Sequence, residues 1–227
     1  MTDLSVLMPV YNERATIRRA IDAVEAAGIG DYELIVVDDG SSDGTTDILR
    51  GGGWPDHVRV LFHDRNRGKG AALRTGLSEA RGTYTTIMDA DLEYLPADIP
   101  AMLQPLRSGD AEAVYGTRGF QAHSAYSFWY VIGNKAVTFF ANLLYNSWVS
   151  DIMTGQKAMR TELFRSLPLR ARGFTIEPEI TARLLRRDIR IYEVPIQYRA
   201  RSREEGKKLT ALDGLRVVGT LIRCRVF

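Results

Sequence analysis

Four apolar segments separated by helical patterns constrain this chain more than any other feature. Leu4-Ser-Val-Leu-Met-Pro-Val, Glu33-Leu-Ile-Val-Val, Val58 to Phe62 and Thr83 to Met88 read as short buried strands. Between them, Thr16 to Ala27 carries Ile17, Ala20, Ile21 and Val24 at helical spacing, and Gly70 to Ala80 reads as a helix. Ser42 or Asp43 can cap a further helix ending near Arg50, and Gly51-Gly-Gly-Trp-Pro breaks the chain after it. Strands alternating with helices predict an α/β fold with a mostly parallel sheet flanked by helices. Such a sheet binds its ligands outside the C-terminal ends of the strands.

The chain has 227 residues, enough for one domain with an elaborated end. With 45% hydrophobic and 26% charged residues it has a core to bury, which excludes a disordered chain, a fibre and a coiled coil. A lone cysteine, Cys224, excludes a disulfide scaffold and a cysteine-based zinc site. The start has no secretory pattern and no run of about 18 apolar residues occurs, so the expected compartment is the cytoplasm. Net charge is +2, yet Arg183 to Phe227 holds twelve Lys or Arg against five Asp or Glu. That basic end suits an anionic partner, or it is a solvated charged face.

The second half reads differently. Lys135 is the only charge between Ser124 and Ser150, a stretch dense in Tyr126, Phe128, Trp129, Phe139 and Trp148. It is a long helix with a side turned to lipid or acceptor, or a core helix. Glu177 to Arg187 reads as a helix, Ile189 to Val194 as a strand, and a basic loop follows. Ala211 to Phe227 sets Leu212, Leu215, Val218, Ile222 and Val226 on one helical stripe, which suits an interfacial helix or packing on the domain.

Three short patterns carry chemistry. Asp89-Ala-Asp91 ends the fourth strand, where two carboxylates can leave the sheet together and hold Mg²⁺ or Mn²⁺, with Glu93 as a third oxygen donor. A solvated turn is the bland alternative. Asp38-Asp39-Gly40 can accept hydrogen bonds from a base or ribose, or is an acid-rich turn that caps the next helix. In Asn66-Arg-Gly68-Lys-Gly70-Ala-Ala, the glycines permit close backbone approach to a neighbour or a phosphate. The spacing is neither that of a Walker loop nor a convincing Rossmann fingerprint, and no nucleic-acid motif is present.

Together, Pro9-Val-Tyr11-Asn-Glu13, Val37-Asp-Asp39-Gly-Ser, Asn66-Arg-Gly-Lys-Gly-Ala and Met88-Asp-Ala-Asp-Leu resemble the family 2 inverting glycosyltransferases of the GT-A fold. Val114-Tyr-Gly-Thr-Arg118, Asp151-Ile-Met-Thr-Gly155, Gly173-Phe-Thr-Ile-Glu-Pro-Glu179 and Glu193-Val-Pro-Ile196, with the basic run Arg201 to Lys208, narrow the resemblance to the polyprenyl-phosphate glycosyltransferases, the dolichol-phosphate mannose synthase group.

The resemblance implies a single GT-A domain over residues 1–227. Its nucleotide-sugar-binding half covers 1–118 and its acceptor half 119–200, with a basic loop and amphipathic helix over 201–227. It implies that Pro9, Tyr11, Glu13, Val37 and Asp39 hold the base and ribose, and that Ala90 contacts the nucleotide. Asp89 and Asp91 would hold the metal on the diphosphate. Glu93 stands where the mannose synthases usually have Gln as a further ligand, and its extra charge bears on metal affinity and donor preference. Arg118 would approach the donor phosphates, as would Arg201 and Lys207, with Arg203 and Lys208 as rivals. The implied reaction moves a hexose, with inversion, from a nucleotide-sugar of the GDP-mannose or UDP-glucose type to a polyprenyl phosphate, at the cytoplasmic membrane surface. The aromatic stretch and the last helix would make the peripheral membrane contact. A soluble hydroxyl acceptor is the first alternative and would need a general base, for which Glu177 and Asp151 are candidates beside their plainer readings as a helix N-terminal acid and a turn acid. A non-catalytic nucleotide-sugar-binding module is the alternative from another class.

Overall fold

The computed structural model describes residues 2–119 and 128–200, residues 213–227, and the backbone of 211 and 212. Strands β1 (Leu4–Val10), β2 (Tyr32–Asp38), β3 (Val58–Phe62) and β4 (Tyr84–Ile87) alternate with helices α1 (Ile17–Glu25), α2 (Thr45–Arg50) and α3 (Lys69–Glu79). Then follow α4 (Ile99–Ser108), β5 (Ala113–Arg118), α5 (Phe128–Tyr145), β6 (Lys157–Arg160), α6 (Thr161–Ser166), α7 (Ile176–Leu185), β7 (Ile191–Ile196) and α8 (Ala211–Val226).

The seven strands form one sheet in the order β3-β2-β1-β4-β6-β5-β7. Pairing is parallel except at β6, which runs antiparallel to both β4 and β5. The first four strands fall where the apolar runs predict, because a strand buried on both faces has no polar side to show. Strand β1 illustrates this: Leu4, Val6, Met8 and Val10 pack with α1 and α4, while Leu7 joins Ile35 and Val37 under α3. Each layer buries apolar side chains that favour folding by about 1.5–3 kcal/mol apiece when fully enclosed.

The reversal at β6 matters for function. Because β6 enters from the edge where its neighbours end, the loop 151–156 lands beside the C-terminal ends of β4 and β5. Tyr115 pairs with Lys157 and Thr86 with Ala158 in that register.

Helices α5 and α8 pack on each other and on α7. Helix α5 turns Asn134, Thr138, Ala141 and Tyr145 inward and leaves Phe128, Trp129, Ile132, Phe139 and Leu143 exposed. Helix α8 docks through Val217, Thr220, Leu221 and Cys224, with the Tyr145 hydroxyl donating to the Leu221 carbonyl. Its stripe of Leu215, Ile222 and Val226 stays exposed. Each helix therefore packs on the domain and keeps an outward apolar face. Among the described residues no helix is long and apolar enough to cross a membrane.

Candidate active site

The candidate residues gather where β1, β2, β4, β5 and β7 end. A cavity of about 930 Å³ opens there, lined among others by Asn12, Glu13, Asp43, Asp91 and Arg199. Its rim is built by local chemistry. Asn12 adopts a positive φ of 56°, a conformation asparagine tolerates, and its side chain accepts from the Ser42 amide. Helix α2 is capped by Gly44 with no side-chain cap bond, not by Ser42 or Asp43 as expected; Asp43, just before it, accepts from the amides of Arg14 and Thr45 and so ties the β1 and β2 loops together.

Asp89 and Asp91 differ sharply. Asp89 is held by Lys69, whose Nζ lies 2.8 Å from it and 2.6 Å from Glu177. Burial opposes the Lys69 charge, but the two carboxylates overcome it and hold the ammonium well above the ordinary lysine range. Glu177, in the first turn of α7, is 4% exposed, and its Oε2 has no hydrogen-bond partner among the described residues. Asp91 instead lines the cavity, with Oδ1 accepting from the Glu93 amide at 3.0 Å. Asp89, Asp91 and Glu93 form no three-carboxylate cluster among the described residues. Glu93 turns its Oε2 to the Tyr198 hydroxyl, 2.7 Å away.

A cavity-facing carboxylate with a second close by in sequence fits a hard divalent cation that completes its shell with phosphate oxygens. Asp91 lines the cavity and has the oxygens for such a site; Asp89 already has a cation against it in Lys69.

Arg118 ends β5 and is buried. Its Nε and Nη2 donate to Asp151 at 2.6 and 2.9 Å, and its guanidinium carbon lies 5.0 Å from the Tyr198 ring centre. Burial pushes the Asp151 carboxyl up, yet Arg118 and its hydrogen bonds push it further down, so it stays below the usual carboxylate range. A carboxylate so held is a poor proton acceptor, which removes Asp151 as the general base considered for a hydroxyl acceptor. Gly155 lies against Asp89: a Cβ there would meet Asp89 Oδ2 at 2.6 Å, and the Gly155 amide donates to the Tyr94 hydroxyl. Behind this loop, the fully buried Lys157 donates to the carbonyls of Ile152 and Thr154, and burial pushes its ammonium down to about 7.

The other expected contacts are placed as follows. Glu13 lines the cavity, whereas Pro9, Tyr11, Val37 and Ala90 are not among its lining residues. Pro9 pairs in register with Val37, Tyr11 is 43% exposed and Ala90 is buried. Asp39 is 2% exposed, with its carboxylate already accepting from the amides of Arg67 and Gly68 and meeting His63 Nδ1 at 2.6 Å. Asp38 accepts from the Ser41 amide and the Thr46 hydroxyl. Both acids thus order the turn that follows β2. The glycines of the 66–72 motif make their close approach to the protein itself. Gly68, at φ +92°, abuts the Arg172 carbonyl, which also accepts from the Gly70 amide. Arg201, Lys207, Arg203 and Lys208 lie outside the described residues, as does Tyr126.

Sequence reasoning missed Lys69, Lys157, Tyr94 and Tyr198. Lys69 stands inside a motif already singled out, but its partners lie 20 and 108 positions away, where spacing says nothing.

The Glycosyl transferase family 2 profile matches residues 5–167. The chain belongs to this family. It is 30% identical over 206 residues to the low-salt glycan biosynthesis hexosyltransferase of Haloferax volcanii, covering 88% of this chain and 49% of that one. It is 28% identical over 209 residues to the dolichol-phosphate mannosyltransferase of Pyrococcus furiosus, covering 90% of this chain and 58% of that one. The chain thus spans only about half the length of these relatives. Among solved structures, glucosyl-3-phosphoglycerate synthase from Mycobacterium tuberculosis superimposes with a TM-score of 0.76 and 26% identity, covering 100% of this chain and 80% of that one. That structure holds Mn²⁺, UDP-glucose and phosphoglyceric acid. The GT-A fold implied by the sequence is the fold of this family 2 chain.

Proposed function

We propose that this glycosyltransferase moves a hexose from a nucleotide-sugar to a polyprenyl phosphate at a membrane surface. The observation that carries the choice of acceptor is the second, outward apolar face of α5. The helix buries Asn134, Thr138, Ala141 and Tyr145 against the domain, yet Phe128, Trp129, Phe139 and Leu143 face outward, each at least 70% exposed. A single domain gains nothing from that arrangement in water; a bilayer interface rewards it. Tyr130, on the same helix, approaches Arg118, so this face is one residue removed from the site.

In this reading the cavity takes the donor. Pro9, Tyr11, Glu13 and Val37 border the nucleotide with Ala90, while Asp39 acts by holding the 63–68 turn. Asp91, with Asp89, binds Mg²⁺ or Mn²⁺ against the diphosphate. Bound there, the cation supplies neutralising charge for the departing nucleoside diphosphate. Lys69 keeps Asp89 and Glu177 in place, and Arg118, anchored by Asp151, adds fixed positive charge at the same edge. Basic groups of the 201–208 run assist on the phosphates. The acceptor oxygen of a lipid phosphate is already ionised near neutral pH, so attack on the anomeric carbon from the face opposite the diphosphate needs no strong base. The bond to the diphosphate oxygen breaks as the bond to the acceptor oxygen forms, with inversion. Residues 1–118 serve the donor, 119–200 the acceptor, and 201–227 the phosphates and the membrane.

A soluble hydroxyl acceptor is the second reading. It is favoured by Glu177, the remaining candidate base, whose buried Oε2 has no partner among the described residues, and by the phosphoglyceric acid in the structural relative. The test is a matrix of nucleotide-sugars against polyprenyl phosphate in vesicles, with Mn²⁺, Mg²⁺ or EDTA, read by mass spectrometry. A metal-dependent lipid-linked sugar is the expected product. Donor hydrolysis without lipid product moves the acceptor to a hydroxyl, and bound donor without either product leaves a binding module.

A further inference from the structure

We propose that Glu93 is a positioning residue that clasps Tyr198 and thereby sets the Asp91 loop, rather than a third ligand for a divalent cation. The inference rests on reading Asp91 as the carboxylate that works on the donor diphosphate. Residues 91–94 and 197–200 are joined at several points. The Tyr198 hydroxyl donates to Glu93 Oε2 at 2.7 Å, and the Arg199 amide donates to the Glu93 carbonyl at 2.9 Å. Tyr94 and Tyr198 form an antiparallel bridge, and their rings lie 5.2 Å apart. Just beyond, Asp98 accepts from the Gln197 amide.

Glu93 sits at the centre of this joint and touches Asp91 as well, since its amide donates to Asp91 Oδ1. Leu92, between them, holds a positive φ of 61°, unusual for a branched aliphatic residue, so the loop needs outside support to keep its shape. The clasp supplies that support from a segment more than 100 positions away. Tyr198 in turn lies against Arg118, so one side chain braces both the metal loop and the end of β5. A carboxylate suits this place because it accepts from the phenol of the buried Tyr198, and a charged acceptor makes the stronger bond. Where a third metal ligand is expected from the sequence, this chain has a tie between two strand-end loops.

The test compares Glu93→Ala, Tyr198→Phe, their double variant and Glu93→Gln. Three readouts are used: Mn²⁺ affinity by electron paramagnetic resonance with Mn²⁺ alone, kcat and KM for the donor, and hydrogen exchange of the 194–200 backbone. The clasp predicts that the two single variants weaken Mn²⁺ binding and kcat by matching factors of about 10, in the range for residues that orient a ligand. The double variant is no worse than either single one, because both remove the same bond. Exchange at the Arg199 amide quickens in both, and Glu93→Gln, which keeps an oxygen acceptor, recovers most of the loss. A Glu93→Ala protein that loses Mn²⁺ affinity while Tyr198→Phe keeps it overturns the clasp and restores the metal ligand. Multiplying effects in the double variant overturn it too. If wild-type turnover ignores Mn²⁺ and EDTA, the metal reading of Asp91 fails, while coupling and exchange still judge the clasp.

Discussion

Two regions of this molecule treat water differently. Around β1–β4, apolar side chains face inward on both sides of the sheet, and Asp89, just past β4, is compensated by Lys69, which also pairs with Glu177. Along α5 and α8, one stripe that includes Ala141, Tyr145, Val217 and Leu221 is buried with Asn134, Thr138 and Thr220, while Trp129, Phe139, Leu143, Leu215 and Phe227 face outward. In the proposed reading, the first region holds a charged, water-borne donor and the second loses its water to something apolar. A transferase joining a nucleotide-sugar to a lipid phosphate needs both surfaces on one domain.

The comparison breaks most visibly at Asp91. Asp91→Ala removes the cavity carboxylate without disturbing a core contact. Metal-assisted charge stabilisation is worth several kcal/mol, so kcat/KM falls at least about 10³-fold. Circular dichroism and the thermal midpoint stay near wild type; unchanged turnover sinks the metal assignment. Next comes the charge web. Lys69→Met leaves the buried Glu177 and the partly buried Asp89 without their cation, and urea unfolding shows a loss of about 3 kcal/mol. A loss below about 1 kcal/mol means the web is solvated and its pairing incidental.

The apolar face is tested by Phe139→Gln with Leu143→Gln. Both side chains are at least 70% exposed, so stability in solution is nearly unchanged. Binding to anionic vesicles drops at least about 10-fold, since each side chain that leaves the bilayer forfeits about 1.5–3 kcal/mol. Equal vesicle binding places the membrane contact elsewhere.

The smallest effect is a pH slope. Burial holds Lys157 down to about 7, against an ordinary value of 10.5, with Glu177 and Asp151 opposing the shift and Lys69 and Arg118 adding to it. Between those two values the unfolded chain binds a proton that the folded protein has released. Stability therefore rises with pH across the window, and the cost of the buried charge is complete below about 7. The urea midpoint of wild type rises relative to that of Lys157→Met from about pH 7 to pH 9. A difference independent of pH contradicts the assignment.

Much of this was legible in the sequence, for reasons that differ by region. The runs at Leu4, Glu33, Val58 and Thr83 announce their strands because parallel strands are apolar on both faces. Strand β6, Lys157-Ala-Met-Arg160, escaped because four residues framed by two cations carry no strand signal; its Lys157 is buried only because the carbonyls of Ile152 and Thr154 meet it. Asp89 and Asp91 were legible as a pair, but not their division of labour, which depends on Lys69 and Glu177 arriving from distant elements. Asp39 was legible as a strand-end acid, while its engagement by Arg67, Gly68 and His63 belongs to the fold. The exposed stripe of α8 could be read from spacing, as could the aromatic density of α5. Spacing did not say that each helix would dock by one stripe and leave the other outside.

The most direct measurement places both acceptors in one vessel: polyprenyl phosphate in vesicles, phosphoglyceric acid in solution, nucleotide-sugars and Mn²⁺, with products resolved by mass spectrometry. Sugar on the lipid phosphate, absent with EDTA and with phosphoglyceric acid untouched, is the result predicted by the opposed surfaces. Sugar on phosphoglyceric acid with the lipid untouched would contradict it, and would make Glu177 the residue to examine as base.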